Sequence, residues 1–515
     1  EKMLLSSWRR KFYSSQTTIG TMSSLPSPAF PSLEGKSVKD LKSVFFSGIG
    51  GHGMSVLARL LNAEGIKVSG SDIAETAITK DLENAQIPVY PQDGSHMKGS
   101  DILVWSSAIK EGNPDLLSAQ KSGMTLAHRS DILDLLMREK EGIAVSGTHG
   151  KTTTSSLISS ILLAVGRDPS WALGSSFRTK EGNEEAWRKG EGAVFVAEAD
   201  ESDSSLLKYR PKISVITNSD GDHFDHFGTI ENYRKDFLSF IKHSEKCVMC
   251  MDDEGNRKLF GMLCEAEKGK ILGYGVKEFK DLELEGFREE NYARLNDIRF
   301  FPASSSISSS FSLSLAGKKT EVELRIPGLH NCLNASAAIL ACTQVGVDFG
   351  CAAHASSLFL GCSRRFELLG CENGISLFTD YGHHPTELKA LLSSLKSSYP
   401  SSRIGALFQP FDYSRVQDFA EGYAQSLCAA DEVVVLPIYG ARQDPANFPG
   451  VTANRIKEAA EALGEGEKFE MAESLEDGAK RLASWSHKGD VLVTIGAGSV
   501  VKTNTLILKL LKEKL

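Results

Sequence analysis

Two glycine-rich loops, each placed between a short apolar run and an amphipathic segment, most constrain the fold of this 515-residue chain. The first loop follows residues 44–46, and the second follows residues 143–145. Strand, glycine loop and helix in this order are typical of parallel sheets covered by helices. The alternation of apolar runs and amphipathic segments resumes after Arg365. The sequence therefore predicts an α/β protein with three units.

We place the boundaries of these units at 37–140, 141–361 and 362–515, after an extension at 1–36. Apolar residues make up 41% of the chain and charged residues 24%, which is typical of globular proteins. The net charge of −8 argues against a nucleic-acid partner, because a phosphate backbone requires a basic surface. No apolar run reaches the roughly 18 residues of a membrane helix.

The extension has a biased composition, with no acidic residue between positions 3 and 33 and a basic cluster at 9–11. This resembles an organellar transit peptide, and a disordered extension or a start site assigned too early are the alternatives. The nine cysteines are scattered along the chain, which indicates reduced thiols inside a cell. We therefore predict a cytoplasmic protein, with an organelle as the alternative.

The first glycine loop matches G-x-G-x-x-G at Gly48, Gly50 and Gly53, and Asp72 follows about 20 residues later. Such glycines let the backbone approach a pyrophosphate at a helix N-terminus. The pattern specifies the pyrophosphate but not the rest of the ligand, so a dinucleotide and a UDP-sugar both fit. A tight turn without a ligand is the alternative.

The second loop, at 147–152, ends in Gly-Lys-Thr as a P-loop does. The Lys151 ammonium would neutralise phosphate charge, and the Thr152 hydroxyl can ligate Mg²⁺. Val145 occupies the place of the first glycine of the general pattern, so this is a shortened variant. The loop predicts an ATP site, and a purely structural turn is the alternative.

Acidic residues follow two predicted strands, at 198–203 and at 218–226. Carboxyl ends of parallel strands carry ligands in such sheets, and carboxylates suit Mg²⁺. We therefore predict a metal site there, with solvated loops as the alternative. Three further expectations concern structure: a buried strand at 247–251, a half-exposed antiparallel edge or a linker at 304–314, and His128 as either a surface residue or a ligand.

Six motifs occur in order: 147–152, 198–203, 222–225, 330–334, 364–366 and 380–387. Together they resemble the Mur ligase family. The resemblance implies an N-terminal Rossmann-like UDP-binding domain, a central P-loop ATPase-type domain with a parallel sheet and a small antiparallel sheet, and a C-terminal Rossmann-like domain.

The resemblance is to the branch of the family that adds L-alanine. It implies an ATP-dependent ligase that joins L-alanine to the lactyl carboxylate of UDP-N-acetylmuramate through an acyl phosphate, in peptidoglycan precursor synthesis. ATP and Mg²⁺, with two ions possible, would be required. The expected partners are these small molecules, without nucleic acid or membrane, and the chain would be a monomer or a homodimer.

The resemblance extends to the first glycine loop with Asp72 and to the segments 106–109 and 408–415, and the site residues follow from these and from the six motifs. The resemblance implies catalytic roles for Lys151, Glu198, His223, Arg365 and Asp380, and metal binding by Thr152, Glu198 and His223. It assigns ATP binding to Gly147, Thr148, His149, Gly150, Lys151, Thr152, Thr153, His330, Asn331 and Asn334. It assigns the UDP-substrate to Gly48, Gly50, Gly51, Gly53, Met54, Asp72, Ser106, Ser107 and His149. The amino acid would contact Tyr381, His383 and Arg415.

The chain departs from the family pattern in places. Phe237 and Leu238 stand where some members have a carbamylated lysine, so we expect no carbamate. Phe411 and Asp412 also differ from common family residues, which affects the alanine end, and Thr379 stands where two consecutive acids are common, which leaves Asp380 alone. Three other functions fit part of the sequence: a ligase that attaches a murein peptide to the same sugar nucleotide, an NAD-dependent dehydrogenase, and a nucleotide-binding scaffold without catalysis.

Overall fold

A computed structural model describes residues 27–29, 31–110, 112–178, 184–221, 227–301, 306–441 and 443–514. Within these ranges the strands form three sheets, and helices cover their faces. The sheets follow one another along the chain, so each one is built from a continuous stretch of sequence. This confirms the predicted three-domain α/β architecture, while the residue boundaries of the domains stay a prediction.

The first sheet is parallel and has the order β3-β2-β1-β4-β5. Its strands are β1 (Ser43–Ser47), β2 (Lys67–Asp72), β3 (Val89–Pro91), β4 (Ile102–Trp105) and β5 (Thr125–His128). Its helices are α1 (His52–Ala63), α2 (Ala77–Asn84), α3 (Pro114–Lys121) and α4 (Arg129–Arg138). The strand order reverses at β1, and the first glycine loop follows that strand.

The second sheet has the order β15-β14-β13-β12-β11-β10-β6-β9-β7-β8. Its strands are β6 (Glu141–Ser146), β7 (Ser170–Arg178), β8 (Glu184–Arg188), β9 (Val194–Glu198), β10 (Ile213–Ile216), β11 (Lys246–Cys250), β12 (Ile271–Gly275), β13 (Tyr292–Phe300), β14 (Ser309–Leu315) and β15 (Lys318–Leu324). Its helices are α5 (Lys151–Ala164), α6 (Ile230–His243), α7 (Glu254–Gly261), α8 (Glu265–Lys268), α9 (Leu329–Gln344) and α10 (Phe349–Ser356). The antiparallel strands β13–β15 continue the parallel part through the pairing of β12 with β13.

The third sheet has the order β16-β17-β21-β18-β19-β20, and only the β16–β17 pair is antiparallel. Its strands are β16 (Glu367–Glu372), β17 (Ile375–Asp380), β18 (Ile404–Phe408), β19 (Glu432–Val435), β20 (Phe469–Met471) and β21 (Val491–Ile495). Its helices are α11 (Pro385–Ser398), α12 (Tyr413–Leu427), α13 (Asn454–Ala462), α14 (Leu475–Trp485) and α15 (Asn504–Glu513).

The apolar cores differ among the units. One cluster of buried side chains runs from the first sheet, with Val44 and Phe46, into the second, with Phe195 and Phe237. The other face of the second sheet has a core of its own. The third sheet has one core on each face, and all their members lie at or beyond Phe366. The first two units therefore share a core that the third does not.

Several sequence expectations can be compared with this architecture. The cysteine-containing run is the buried strand β11, as predicted, and Cys247 and Cys250 are free thiols. Residues 304 and 305 of the expected antiparallel edge lie outside the described residues. For the rest of 304–314 the expectation is wrong in one respect, because β14 is antiparallel but pairs on both sides and β15 forms the edge. In the described part of the chain, no helix has the length and apolarity that crossing a membrane requires.

The segment before the first strand packs onto the fold. Leu33 is buried in the shared core, and the backbone N–H of Ser32 donates to Asp131 Oδ1 at 3.0 Å. The backbone N–H of Val38 is 3.4 Å from Glu139 Oε1. The predicted boundary at residue 36 therefore lies within a packed segment. Residues 1–26 lie outside the described residues.

Candidate active site

The second glycine loop joins the end of β6 to the start of α5. Gly147 and Gly150 both have a positive φ, of 131° and 82°, which strongly favours glycine. A Cβ on Gly147 would collide with Thr217, and one on Gly150 would lie 2.6 Å from Asn334 Oδ1. The His149 N–H donates to Asn218 Oδ1 at 2.8 Å, which ties the loop to the chain after β10. The loop thus has the strand-to-helix placement of a phosphate-binding loop.

The Lys151 ammonium is held inside this loop. It donates to the carbonyl oxygens of Gly147 at 2.6 Å and Thr148 at 3.2 Å, and to Glu201 Oε1 at 2.9 Å. Burial alone would lower the Lys151 pKa, but the charges of Glu201 and Asp200 raise it above its ordinary value. Lys151 is therefore a cation at neutral pH, placed at the N-terminus of α5 where anions are favoured.

The predicted metal ligands Thr152 and Glu198 are neighbours. The Thr152 hydroxyl is 3.2 Å from Glu198 Oε2, and Glu198 Oε1 accepts from the Gly174 N–H at 2.6 Å. Both side chains offer hard oxygen donors, which suit Mg²⁺. His223, the third predicted ligand, lies outside the described residues. Within the described ranges no cluster of three His, Cys, Asp or Glu side chains could hold a metal.

The other carboxylates after β9 contact different side chains. Glu201 pairs with Lys151, while the Arg129 guanidinium donates to Asp200 Oδ2 at 2.7 Å. The Ser107 hydroxyl donates to Asp203 Oδ2 at 2.6 Å. Lys151 and Arg129 therefore offset the charges of Glu201 and Asp200.

A cavity of about 290 Å³ opens beside the loop. Its walls come from the second and third units and include His149, Thr153, His330, Asn331 and Arg365. Burial, together with the nearby Arg365 charge, lowers the pKa of His330 to about 4, so this ring is neutral at pH 7. The cavity thus brings together residues assigned to ATP from two separate motifs and Arg365, which was assigned a catalytic role.

The two amides after the start of α9 support this wall. The Asn331 side chain donates to the Pro327 carbonyl at 2.8 Å, and the Asn334 amide donates to Asn331 Oδ1 at 3.3 Å. The Thr154 hydroxyl of α5 donates to Asn334 Oδ1 at 3.3 Å. Asn334 therefore contacts the P-loop helix, and a Cβ at Gly150 would crowd the same oxygen.

The third unit contributes Asp380 and Arg365 to the cavity. Asp380 ends β17, and its carboxylate accepts from the Phe366 N–H at 2.8 Å and the Gly382 N–H at 2.7 Å. Burial raises the Asp380 pKa above its ordinary value, although Arg365 partly opposes this. The Arg365 guanidinium lies over the Tyr381 ring at 5.2 Å. Asp380 therefore fixes the backbone turn that presents Arg365.

Glu387 joins the two walls, and the sequence reasoning gave it no role. Its Oε1 lies 3.3 Å from Arg365 Nη1 and 3.4 Å from His149 Nδ1 of the P-loop. The His149 ring also lies 4.7 Å from the His384 ring. Glu387 lies in the 380–387 motif, but its contact with His149 of the second unit follows only from the tertiary fold.

The predicted alanine end lies next to these groups. Tyr423 donates its hydroxyl proton to the His383 carbonyl at 2.7 Å, and burial lowers the His383 pKa to about 4. The His383 ring is 5.6 Å from Tyr381 and 5.8 Å from Phe411. Arg415 is buried in the first turn of α12. Phe411, which departs from the family pattern, thus lies against a predicted site residue.

The first glycine loop is anchored to the strand beside it. The N–H groups of Gly48 and Ile49 donate to the Ser71 carbonyl at 2.8 and 2.9 Å, and the Gly50 N–H donates to Asp72 Oδ2 at 2.8 Å. Gly51 caps α1, whose first turn carries Gly53 and the buried Met54. Asp72 thereby holds the loop itself, in addition to the substrate role that the resemblance implies.

The residues after β4 and β5 face the second unit. His128 is fully buried, and its Nε2 lies 3.1 Å from the Ser107 hydroxyl, which also contacts Asp203. Ser106 accepts from the Ile109 N–H at 2.9 Å in the same turn. The surface alternative for His128 is wrong, because the second unit covers it. Ser107, assigned to the UDP-substrate, therefore also belongs to the junction of the first two units.

Three family models match consecutive parts of the chain: "Mur ligase family, catalytic domain" at 43–141, "Mur ligase middle domain" at 145–342 and "Mur ligase, glutamate ligase domain" at 364–498. A UDP-N-acetylmuramate–L-alanine ligase of Bifidobacterium adolescentis is 39% identical over 497 residues, covering 93% of this chain and 94% of the relative. The chain belongs to the Mur ligase family.

One further relative and two solved structures are also similar to this chain. A UDP-N-acetylmuramate–L-alanine ligase of Bdellovibrio bacteriovorus is 38% identical and covers 88% of this chain and 95% of its own. The crystal structure of a UDP-N-acetylmuramate-alanine ligase from Thermotoga maritima superposes with a TM-score of 0.74 at 27% identity, covering 91% and 98% of the two chains. A murein peptide ligase of Psychrobacter arcticus, at 24% identity and a TM-score of 0.65, shares the fold.

Proposed function

We propose that this Mur ligase joins L-alanine to the lactyl carboxylate of UDP-N-acetylmuramate at the expense of ATP, in peptidoglycan precursor synthesis. One observation carries the proposal: His149, Gly150 and Thr152 of the phosphate loop line the same cavity as Arg365 and Asp380 of the third unit. The names of relatives at 38–39% identity over most of the chain support the choice of substrates.

Amide formation requires an activated carboxylate. Without activation, a carboxylate oxygen would have to leave as oxide or hydroxide, which is a very poor leaving group. In the first step the lactyl carboxylate oxygen attacks the γ-phosphorus of ATP, and the bond to the β-phosphate oxygen breaks to release ADP. In the second step the neutral amine of L-alanine attacks the acyl carbon, the C–O bond to phosphate breaks, and the amine loses a proton. The products are the amide, ADP and inorganic phosphate.

The residues of the cavity and of the loop beside it suit these steps. The Lys151 ammonium would offset the negative charge of the transferring phosphoryl group from within the loop. The planar Arg365 guanidinium would bind phosphate or carboxylate oxygens from the other wall. Thr152 and Glu198 would hold Mg²⁺, with His223 as the further predicted ligand. When bound, the ion supplies additional charge neutralisation at the phosphates.

The remaining roles are proposed on the same basis. The first glycine loop, with Gly48, Gly50 and Gly53, would take the diphosphate of the sugar nucleotide. Tyr381, His383 and Arg415 would form the alanine end, and Arg415 would be suited to the alanine carboxylate because it is always charged. The chain would act in the cytoplasm as a monomer or homodimer. A reporter fused to residues 1–36 would test the organellar alternative.

A phosphate-release assay tests the proposal directly. With ATP, Mg²⁺ and UDP-N-acetylmuramate, the wild-type chain should release phosphate on addition of L-alanine, and more slowly with L-serine or glycine. Release that depends on a murein tripeptide instead of L-alanine would assign the chain to the peptide-attaching reaction. No release with either acceptor would overturn the proposal.

Lys151→Ala should reduce this turnover by a factor of about 100 or more while the chain stays folded, because a preorganised charge at the phosphoryl group is lost. Lys246→Ala, which changes an exposed lysine at the start of β11, is the matched control and should keep wild-type activity. Full turnover by Lys151→Ala would exclude the assigned role of the phosphate loop.

A further inference from the structure

Glu387 has two carboxylate oxygens with different partners. Oε2 accepts from the backbone N–H groups of His383 at 2.9 Å and His384 at 3.2 Å. Oε1 faces the other way, with Arg365 Nη1 at 3.3 Å and His149 Nδ1 at 3.4 Å. His149 belongs to the P-loop of the second unit, whereas the other partners belong to the third. Glu387 is therefore in contact with both walls of the cavity.

Helix capping explains only one of these oxygens. Glu387 is the third residue of α11 and forms a capping box with His384, in which its side chain accepts from the backbone of the cap residue. Glu267 makes the same kind of box at α8, accepting from the Cys264 N–H at 3.0 Å. A capping box requires one oxygen, so the contacts of Glu387 Oε1 with His149 and Arg365 need another explanation.

The charge of Glu387 is maintained by these contacts. Burial would raise its pKa, but His383, His149 and Arg365 together hold that pKa well below the usual value of a glutamate. An anion in the wall of a phosphate site repels phosphate unless cations stand between them. The Arg365 cation occupies that position, and His149 contacts the same Glu387 oxygen, so Glu387 acts on the ligand through these two side chains.

The geometry also leaves polar atoms of both side chains available for a ligand. Arg365 has five N–H donors, and Glu387 engages it through Nη1 alone. The contact of His149 with Glu387 is at Nδ1. Within the described residues His149 Nε2 is buried and has no hydrogen-bond partner, and it lies 3.9 Å from Asp220 Oδ2. The contact with Glu387 fixes the direction of each side chain and restricts its rotamers. Preorganised sites avoid the cost of reorganisation during the reaction in this way.

We propose that Glu387 is a positioning residue: it aligns Arg365 and His149 at the phosphoryl group when the third unit lies against the P-loop. This inference rests on the proposed function, because it takes the γ-phosphate of ATP and the acyl phosphate as the groups that Arg365 and His149 face. Glu387 itself touches neither. Its loss should therefore lower the rate of the chemical step more than it weakens nucleotide binding.

Glu387→Gln separates the capping of α11 from the charged contact with Arg365 and His149. Glutamine keeps an oxygen that can accept from the cap backbone, so α11 stays capped, but it removes the charge facing Arg365 and His149. We expect kcat for L-alanine-dependent phosphate release to fall by about 10- to 100-fold, with the KM for ATP within about threefold of wild type. Glu267→Gln is the matched control, since it makes the same change in the other capping box, and its kcat should equal that of wild type.

A double-mutant cycle provides a second readout. If Glu387 acts through His149, then Glu387→Gln should cost much less kcat in a His149→Gln background than in wild type, because the shared interaction is already lost. An unchanged kcat for Glu387→Gln overturns the proposal, and so does a fully additive cycle with both His149 and Arg365. An equal fall in thermal stability of the two glutamine variants, accompanied by a loss of kcat in both, would assign the effect to capping and also overturn it.

The wild-type chain separates failure of this inference from failure of the proposed function. Absence of phosphate release by the wild-type chain overturns the ligase assignment. Normal release by wild type together with normal release by Glu387→Gln leaves the ligase assignment intact and overturns the positioning role alone.

Discussion

The two junctions between neighbouring units are built differently. Where the first unit meets the second, Lys208 and Asp131 form an ion pair 2.8 Å apart, and both side chains are completely buried. The apolar core is continuous across this junction. Where the second unit meets the third, polar contacts such as His149–Glu387 surround an open cavity, and the third unit has separate cores.

This difference indicates which parts can move. Separating the first two units would expose a shared apolar core and a buried ion pair, which costs far more than breaking partly exposed polar contacts. Separating the third unit from the second would open the cavity and leave both cores of the third sheet intact. We infer that the first two units behave as one body and that the third closes over the P-loop, where it would exclude water from an acyl phosphate.

The largest predicted effect concerns the buried pair at the first junction. Lys208→Met leaves the Asp131 carboxylate buried without its cation, which should lower the free energy of unfolding by about 3–5 kcal/mol. Urea unfolding followed by tryptophan fluorescence would measure it. Lys189→Met, in the partly exposed Lys189–Glu64 pair across the same junction, is the control and should cost under about 1 kcal/mol. Equal stability of the two variants would contradict a rigid first junction.

The second prediction concerns pH and the same junction. Burial lowers the His128 pKa from 6.5 to about 3, although Asp203 partly opposes this. The unfolded chain therefore binds a proton near pH 6.5 that the folded chain does not, so stability is complete above this pH and falls as the pH decreases.

For this one group, the free energy of unfolding should fall by about 1.4 kcal/mol between pH 7.5 and pH 5.5. His128→Asn does not titrate in that range and keeps a residue type that can cap α4. Between pH 7.5 and pH 5.5, the free energy of unfolding of this variant should therefore fall by about 1.4 kcal/mol less than that of wild type. Parallel pH curves for the two proteins would contradict the buried, neutral state of His128.

A third prediction tests the mobility of the two junctions directly. Amide hydrogen exchange should slow in residues 381–387 when ADP is added, because these residues lie at the closing junction. ADP at about ten times its Kd should slow exchange there by up to about tenfold. Exchange in residues 129–138, at the first junction, should change much less. Equal slowing in both segments would show that the units respond as a single body.

The sequence predicts the local parts of this molecule well. Each glycine loop carries its own signature, because strand, turn and helix are adjacent in the chain and Gly147 and Gly150 need a positive φ. The junctions are different, because their partners lie far apart in sequence. His128 is buried by a unit that begins after it, and β14 has two neighbours only because β15 returns beside it. The partners of Glu387 across the cavity were unpredictable for the same reason.

The smallest predicted effects come from one partly exposed ion pair at each junction. Arg178 Nη2 lies 3.3 Å from Glu367 Oε1 between the second and third units, and Lys189 Nζ lies 3.1 Å from Glu64 Oε2 between the first and second. Arg178→Gln and Lys189→Gln should each change the free energy of unfolding by less than about 1 kcal/mol, because solvent screens such pairs.

Their effects on activity should nevertheless differ. A pair across a moving junction contributes to the closed state alone, so Arg178→Gln should lower kcat/KM by up to about fivefold, the equivalent of 1 kcal/mol. A pair across a rigid junction contributes equally to the open and closed states, so Lys189→Gln should leave kcat/KM unchanged. Equal kcat/KM values for the two variants, measured at matched ionic strength, would contradict the assignment of motion to the third unit alone.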